Sequence, residues 1–438
     1  MQILIVGLGY VGSVAAAGLA YAGHEVIGTE IDREKLEGYI NGTLPIYEPG
    51  LDDLIKQGVS EERLKFQHIS EIERITAPVV MICVGTPSRP DGAADISQVK
   101  KVISWVRERV TAPTTLVMKS TVPPGTGKKL ISDYLGESTG KISYVSNPEF
   151  LREGQAVKDW FNPDRIVLGG YDNKAIELVK SLYDNIDAPF VITDVTSAEL
   201  IKYAANAFLA TRISFINEIA NLCDYLDADI QDVAQGIGLD PRIGSSFLKA
   251  GIGYGGSCFP KDVRALDFLA MVNGHEFELL RSVINVNNKQ PVLAVQKLRR
   301  ELGTLNNKRI SLLGLAFKPG TDDLREAPAL KIIRLLQDEG ARVQAYDPVA
   351  NKKAAVSLGL DEGITFCSTI WDALHGAEAA IIATEWEEFI ELDWEKAKEK
   401  MAEPYLILDG RNCLSPNVMQ ELGFKYLGMG RRAKLKNF

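Results

Sequence analysis

The first thirty residues constrain this chain more than any other stretch. Gln2-Ile-Leu-Ile-Val6 is a short apolar run that ends in Gly7-Leu8-Gly9-Tyr10-Val11-Gly12; a small-residue stretch, Ser13 to Ala22, then runs up to Gly23. A second apolar run, Glu25 to Thr29, ends in Glu30. Three spaced glycines alone are a weak signal. A strand before them, a helix after them and an acid at the end of the next strand make the signal specific, because that order is a βαβ unit with its parallel strands joined by a crossover helix. Glycines in such a turn let the backbone approach a pyrophosphate at the helix N-terminus. A carboxylate at the end of the second strand accepts from a ribose 2′-OH and repels a 2′-phosphate. The expected cofactor is therefore NAD, held by Gly7, Gly9, Tyr10, Val11, Gly12 and Glu30. Arg33 and Lys35 stand close enough in sequence to soften the repulsion of a phosphate.

Further strand-like runs at Val79 to Val84 and Thr115 to Met118 each deliver a polar loop at the C-terminal end, Gly85-Thr86-Pro87-Ser88 and Ser120-Thr121-Val-Pro-Pro-Gly125. Ligands of open α/β sheets bind at that edge. Val84, Gly85, Thr86, Ser120 and Thr121 are therefore placed to meet the cofactor, although Ser and Thr also cap turns with no ligand present. Asn147-Pro-Glu149-Phe150-Leu151-Arg152-Glu153-Gly154 follows the next apolar run, Ile142 to Val145. Its two carboxylates, four apart, suit one helical face, and an ion-pair ladder with Arg152 is an equally good account of them.

Thr196-Ser-Ala-Glu199 has the pattern of a capping box, and the stretch from there to about Asp227 contains no Gly or Pro. At about 1.5 Å per residue such a helix is ~45 Å long, enough to act as a spine between two halves of the chain. Lys202 and Asn206 fall one turn apart on it in apolar surroundings, where a lysine without a partner is costly. After a glycine-rich loop and more helix, Lys308 to Gly314 begins a second strand–turn–helix–strand unit. Its helix is expected at Ala329 to Glu339, and its second strand, Arg342 to Tyr346, ends in Asp347. Gly314 to Asp347 spans 33 positions against 23 from Gly7 to Glu30, and the third glycine is replaced by the polar loop Phe317 to Arg325. A second nucleotide held in a different way is the expectation, with Lys318 and Arg325 as anion contacts.

Gly251-Ile-Gly-Tyr-Gly-Gly-Ser-Cys258-Phe-Pro-Lys261-Asp262 carries four glycines in six positions. Each costs about 0.5 to 1 kcal/mol in regular structure relative to Ala, so the segment is a loop. Free cysteines are usually buried hydrophobes. A cysteine on an open glycine loop, beside a cation that favours its thiolate, instead fits a nucleophile.

Length and charge bound the rest. A chain of 438 residues exceeds one ordinary core. The formal charge of −9 argues against a general nucleic-acid or anionic-membrane surface. A basic tail, Arg431-Arg432-Ala-Lys434-Leu-Lys436, is expected to be a solvated terminus. Five irregularly spaced cysteines do not make a disulfide framework, and no apolar stretch reaches a membrane span. With no basic leader region and no cleavage site, the expected location is cytoplasmic. The four histidines lack metal-ligand spacing, so no metal site is expected.

Gly-Gly-Ser-Cys-Phe-Pro-Lys-Asp, Asn-Pro-Glu-Phe-Leu-Arg-Glu-Gly, Ser-Thr-Val-Pro-Pro-Gly-Thr and Gly-Leu-Ala-Phe-Lys-Pro-Gly-Thr-Asp-Asp-Leu-Arg-Glu together resemble the UDP-glucose 6-dehydrogenase family, in family order and over essentially the whole chain. GDP-mannose 6-dehydrogenases share most of these motifs, whereas Arg242 to Ala250 is similar to the UDP-glucose enzymes. UDP-N-acetylhexosamine dehydrogenases depart from the Pro-Glu-Phe-Leu-Arg-Glu pattern kept here. Glu30 stands where the family more often has Asp. The resemblance implies oxidation of a sugar C6 alcohol to a carboxylate with two NAD, through a thiohemiacetal and then a thioester on Cys258. By the same resemblance, Lys202 and Asn206 stabilise the oxyanion, Asp262 and Thr121 handle protons, and Glu149 assists thioester hydrolysis. Glu153 and Arg325 lie on the cofactor side. The nucleotide sugar is placed among Glu149, Phe150, Leu151, Lys202, Asn206, Phe247, Leu248, Lys249, Gly253, Tyr254, Gly255, Phe317, Lys318 and Arg411, with Arg242 reaching from a neighbouring subunit. A homodimer or higher homo-oligomer is implied.

The expected architecture is α/β, with two Rossmann-like doubly wound domains joined by a central helical segment that contains the spine helix. Residues 1–195 form the NAD domain, 196–300 the central segment with the cysteine loop, and 301–438 the UDP-binding domain. The alternatives are the same chemistry on GDP-mannose and a non-catalytic nucleotide-sugar sensor that kept the fold.

Overall fold

The computed structural model describes residues 1–136, 141–359 and 363–432. Two compact units emerge, Met1–Ala205 with Phe268–Asn273, and Asn206–Asp267 with Gly274–Phe438. The first is built on eight strands: β1 (Gln2–Val6), β2 (Glu25–Glu30), β3 (Leu64–His68), β4 (Val79–Ile82), β5 (Thr114–Met118), β6 (Ile142–Ser146), β7 (Ile166–Gly170) and β8 (Phe190–Thr193). They lie in the order β3-β2-β1-β4-β5-β6-β7-β8. Every pairing is parallel except β6 with β7. The first six strands make the doubly wound order of a dinucleotide-binding fold. Continuous apolar sequence in β1 and β4 follows from that position, since strands covered on both faces need no polar alternation. Ile3, Ile5, Val79 and Met81 are fully buried.

The helix after the first turn, Tyr10–Tyr21, is small-residued because it packs too closely for side chains. A Cβ at Gly18 would lie 2.0 Å from the Trp160 indole nitrogen, and one at Gly12 only 1.9 Å from the Gly7 carbonyl oxygen.

The second unit holds β9 (Arg309–Leu313), β10 (Arg342–Tyr346), β11 (Ile364–Phe366), β12 (Ala379–Ile382), β13 (Leu406–Asp409) and β14 (Lys425–Gly428) in the order β11-β10-β9-β12-β13-β14, all parallel. The same doubly wound order therefore occurs twice. The expected helix of this unit runs from Pro328 to Asp338.

The spine helix covers Val195–Leu226. Its start differs from the expected capping box. Asp194 is the cap, accepting from the Ser197 N–H at 3.0 Å and the Ser197 hydroxyl at 2.5 Å, so Glu199 is released for another partner. The helix begins two residues earlier than the Thr196 pattern implies because the Asp194 carboxylate accepts from backbone and hydroxyl together. The tail also differs from a fully solvated terminus. Arg431 donates to the carbonyls of Asn412 and Leu414 and lies near Asp229, and Arg432 pairs with Asp227, while Lys434 and Lys436 lie outside the described residues. Among the described residues no helix is long and apolar enough to cross a membrane.

Candidate active site

In the first unit the glycine turn leaves β1 with Gly7 in the left-handed region at φ 96°. Gly9 caps the following helix without any side-chain hydrogen bond, and nothing lies within 4 Å of where its Cβ would stand. This is an open, backbone-lined cradle at a helix N-terminus, which fits the pyrophosphate of NAD. Glu30 is half-buried at the end of β2. One of its oxygens accepts from the Leu8 N–H at 3.2 Å, the other from Ile31 and Asp32 N–H at 2.8 and 3.2 Å. Three donors leave acceptor capacity on a carboxylate for ribose hydroxyls. Arg33 and Lys35 are exposed on the helix beside it.

The hydroxyls expected at the sheet edge have structural partners. Ser120 donates to the Val84 carbonyl at 2.7 Å, and Thr86 to the Thr121 carbonyl at 2.8 Å. They stitch the loop after β4 to the loop after β5 and so place the exposed Gly85 and the half-buried Thr121 on one edge.

Residues 147–154 are irregular backbone, so Glu149 and Glu153 do not share a helical face. Arg152 pairs instead with Asp159, at 2.6 Å. Glu149 is buried, accepts from the Leu151 N–H at 2.6 Å and pairs with Lys202 Nζ at 2.9 Å. Burial pushes its carboxyl up, but Lys202, the Leu151 N–H and Lys119 outweigh it and hold the group below the usual range. Lys202 also lies 5.3 Å from the Phe150 ring centre. Removing one partner of such a buried pair typically costs about 3 to 5 kcal/mol.

Three residues that sequence reasoning missed support this region. Glu48 is buried; it accepts from Gly154 and Ala156 N–H at 2.6 and 2.7 Å and from the Tyr10 hydroxyl, tying the cofactor helix to the Glu149 segment. Lys119 is buried against Asn147 and Tyr183. Glu199 accepts from the N–H groups of Gly125 and Gly127, both at 2.7 Å. Glu48 in Tyr-Glu-Pro-Gly and Lys119 before Ser-Thr carry no periodic signal; their neighbours in space are remote in sequence.

In the second unit the glycine run is a loop, closed by backbone bonds from Ile252 N–H to Gly410 and from Gly256 N–H to Arg325. Cys258 is half-buried and its carbonyl accepts from the Asp262 N–H, which puts it at the cap of the helix Phe259–Val272. The positive end of that helix favours an anion there. Lys261, expected to act on the thiol, donates to Asp262 at 2.6 Å. The other Asp262 oxygen accepts from Asn206 Nδ2 at 2.6 Å, with Asp262 itself buried.

Arg411 is half-buried in a two-point pair with Glu385, at 2.5 and 3.0 Å, and donates to the Gly253 carbonyl at 3.3 Å. Glu385, another unanticipated residue, is pushed up by burial and held down overall by Arg411, with Lys249 adding to the effect. The Phe317 ring packs on Gly256, where a Cβ would approach it to 2.8 Å, and Lys318 lies 5.3 Å from the ring centre. Tyr254 is tied to Asn287 through its N–H and carbonyl; Leu248 is buried and Phe247 sits at φ 61°. Gly255 approaches the Glu326 carbonyl so closely that a Cβ would lie 2.4 Å from it. Arg325 pairs with Asp323 at 2.8 Å, and Arg242 is exposed and pairs within its own loop with Asp240 at 2.6 Å.

Three family models match the chain, all from the UDP-glucose/GDP-mannose dehydrogenase family: the NAD binding domain at residues 1–187, the central domain at 196–289 and the UDP binding domain at 311–416. The UDP-glucose 6-dehydrogenase TuaD of Bacillus subtilis (strain 168) is 45% identical over 434 residues, covering 99% of this chain and 94% of the relative. The UDP-glucose 6-dehydrogenase of Rickettsia conorii is 40% identical over 99% of this chain and all of the relative, 100%. The solved UDP-glucose dehydrogenase of the hyperthermophilic archaeon Pyrobaculum islandicum has a TM-score of 0.90 at 39% identity, covering 98% of this chain and 97% of its own. A UDP-D-ManNAc dehydrogenase from Pyrococcus horikoshii reaches a TM-score of 0.86 at 29% identity, covering 98% and 99%, so the shared fold does not by itself choose the sugar.

Proposed function

The chain belongs to the UDP-glucose/GDP-mannose dehydrogenase family and is an NAD-dependent oxidoreductase, and from that premise we propose that it oxidises UDP-glucose at C6 to UDP-glucuronate, removing four electrons. Residues 1–195 hold NAD, 196–300 carry the cysteine loop and 301–438 take the UDP moiety. NAD, when bound, supplies the hydride acceptor, twice per sugar.

The chain's own residues do the rest. Once the C6 alcohol has given up a hydride and its hydroxyl proton, the Cys258 sulfur bonds to the aldehyde carbon and the thiol proton passes to the carbonyl oxygen, giving a thiohemiacetal. Loss of a second hydride together with that hydroxyl proton leaves a thioester. Water then breaks the carbon–sulfur bond, returning the thiol and releasing the carboxylate. Lys202 and Asn206 stabilise the oxyanion at C6. Asp262, held by Lys261 and Asn206, and Thr121 move protons, and Glu149, ionised beside Lys202, assists the attacking water.

The observation that carries this reading is the cysteine at the cap of a helix on a glycine loop, in a chain similar over its full length to UDP-glucose enzymes. A homodimer or higher homo-oligomer is supported by Phe208, Phe215 and Leu222, seven residues apart on the spine helix and 63%, 54% and 49% exposed. Arg242 is exposed in the way a residue serving a neighbouring subunit requires.

The test is a panel of UDP-glucose, UDP-N-acetylhexosamines and GDP-mannose with NAD, following NADH absorbance. Two NADH per UDP-glucose are expected. In Cys258→Ser turnover should stall, with either little NADH or an ester-linked sugar seen as a mass shift on the intact protein. Wild-type turnover in that variant at two NADH per sugar sinks the covalent mechanism; faster turnover of GDP-mannose sinks the substrate assignment.

A further inference from the structure

The loop that carries Thr121 is fastened at two points. At its start the Thr86 hydroxyl donates to the Thr121 carbonyl at 2.8 Å. At its end the chain turns through Gly125, at φ 88°, into the short helix Thr126–Leu130, which has no side-chain cap of its own. The groups that a cap would satisfy are taken by a residue more than seventy positions away. Glu199, 2% exposed on the first turns of the spine helix, accepts from the Gly125 N–H with one oxygen and from the Gly127 N–H with the other, both at 2.7 Å. The approach depends on Gly127 having no side chain, since a Cβ there would lie 2.7 Å from a Glu199 oxygen and 2.5 Å from Val195 Cγ1. Lys202, which holds Glu149, follows Glu199 by three positions on the same helix. Two adjacent turns of one rigid element thus hold both loops.

We propose that Glu199 is a positioning residue for catalysis, clamping the Gly125–Gly127 turn so that Thr121 stays in register with Lys202 and Glu149. This rests on the role given to Thr121 above. A two-point clamp of this kind is strongest with the ionised carboxylate, because protonation turns one of its two accepting oxygens into a donor that faces an N–H. Burial pushes the Glu199 carboxyl up to about 7, against the pull of the two glycine N–H groups, with Asp194 adding slightly. The other titratable groups around it are the Tyr144 hydroxyl on β6, raised by burial, Asp194, lowered by its bonds to Ser197, and the exposed Lys128 and Lys129 of the clamped helix.

Two pH dependences of opposite sign follow. Glu199 is raised in the folded state, so its contribution to stability is full below the ordinary carboxylate range and is lost as pH rises through about 7. Clamping, and with it turnover, gains over the same interval. Misplacing a reacting group by about 1 Å costs up to ~10² in rate, so Glu199→Gln should lower kcat roughly 10- to 100-fold at pH 8 with Michaelis constants little changed, and remove the inflection near pH 7.

Hydrogen exchange of the peptide 122–130, measured on the full-length protein without ligand, should quicken in Glu199→Gln. Gly127→Ala, which breaks the clamp from the loop side, should reproduce both effects if Glu199→Gln fails to fold. Unchanged exchange, or quickened exchange with wild-type kcat and pH profile, overturns the proposal. Failure of the wild-type chain to oxidise UDP-glucose would fall on the catalytic reading, since the exchange comparison needs no substrate.

Discussion

At the end of its second strand the first sheet places Glu30 and the second places Asp347, and the two carboxylates do different jobs. Asp347 is 1% exposed and accepts from five donors: the N–H groups of Leu315, Ala316, Val349 and Ala350, at 2.7 to 3.0 Å, and the Trp386 indole at 3.2 Å. A carboxylate has about four lone-pair sites, so nothing is left for a ribose. Glu30 takes three N–H groups and is half-buried. The turns differ in the same sense. Gly9 faces open space, while a Cβ at Gly314 would lie 2.4 Å from that of Thr384, and the loop after it is folded on itself through Phe317 N–H to Asp323. One strand order thus yields a receptive edge in the first unit and a sealed one at the matching place in the second. A nucleotide in the second unit has to be met by other groups, among which Arg411, Lys249 and Phe317 are the proposed set.

This comparison can be broken. The largest effect is expected from Asp347→Ala, which strands several buried N–H groups at about 1 to 3 kcal/mol each. Urea unfolding should show a loss of at least about 3 kcal/mol with the NAD-to-NADP preference untouched; a loss under about 1 kcal/mol would mean the edge is not sealed by this residue. Next comes Glu30→Ala. It should raise the Michaelis constant for NAD roughly tenfold and narrow the gap to NADP, because the acceptor of the 2′-OH and the repulsion of a 2′-phosphate go together. An unchanged preference would place selectivity elsewhere, with Arg33 and Lys35 the first groups to test. The smallest effect on stability belongs to Gly9→Ala. Its Cβ meets no protein atom, so unfolding should shift by no more than about 1 kcal/mol while NAD binding weakens, the methyl occupying space the pyrophosphate needs. Equal NAD affinity in that variant would remove the cradle from the site.

Much of the site's chemistry was legible in the chain because it is local. Gly7 to Glu30 is one contiguous unit, Cys258 to Asp262 one loop and helix start, and both report through spacing. The errors were local patterns overruled by remote partners. Thr196 to Glu199 has the letters of a capping box, yet Asp194 took the cap and Glu199 went to Gly125 and Gly127. Glu149 and Glu153 have helical spacing, yet their segment is irregular, with Arg152 drawn to Asp159 and Gly154 to Glu48.

The sequence by itself determined two doubly wound sheets, the spine helix, the NAD turn and the cysteine loop, because periodicity, glycine conformational freedom and strand burial act over a few residues. Tertiary structure alone decided which polar groups are spent on the fold and which remain for ligands. Glu30 and Asp347 occupy equivalent places in two matching units, and nothing in either neighbourhood of sequence shows that Trp386 and the Leu315–Ala316 turn will saturate one of them. A carboxylate's capacity is consumed by whatever donors the folded chain brings within about 3 Å, and the donors that saturate Asp347 beyond its own Val349–Ala350 turn come from segments more than thirty positions away.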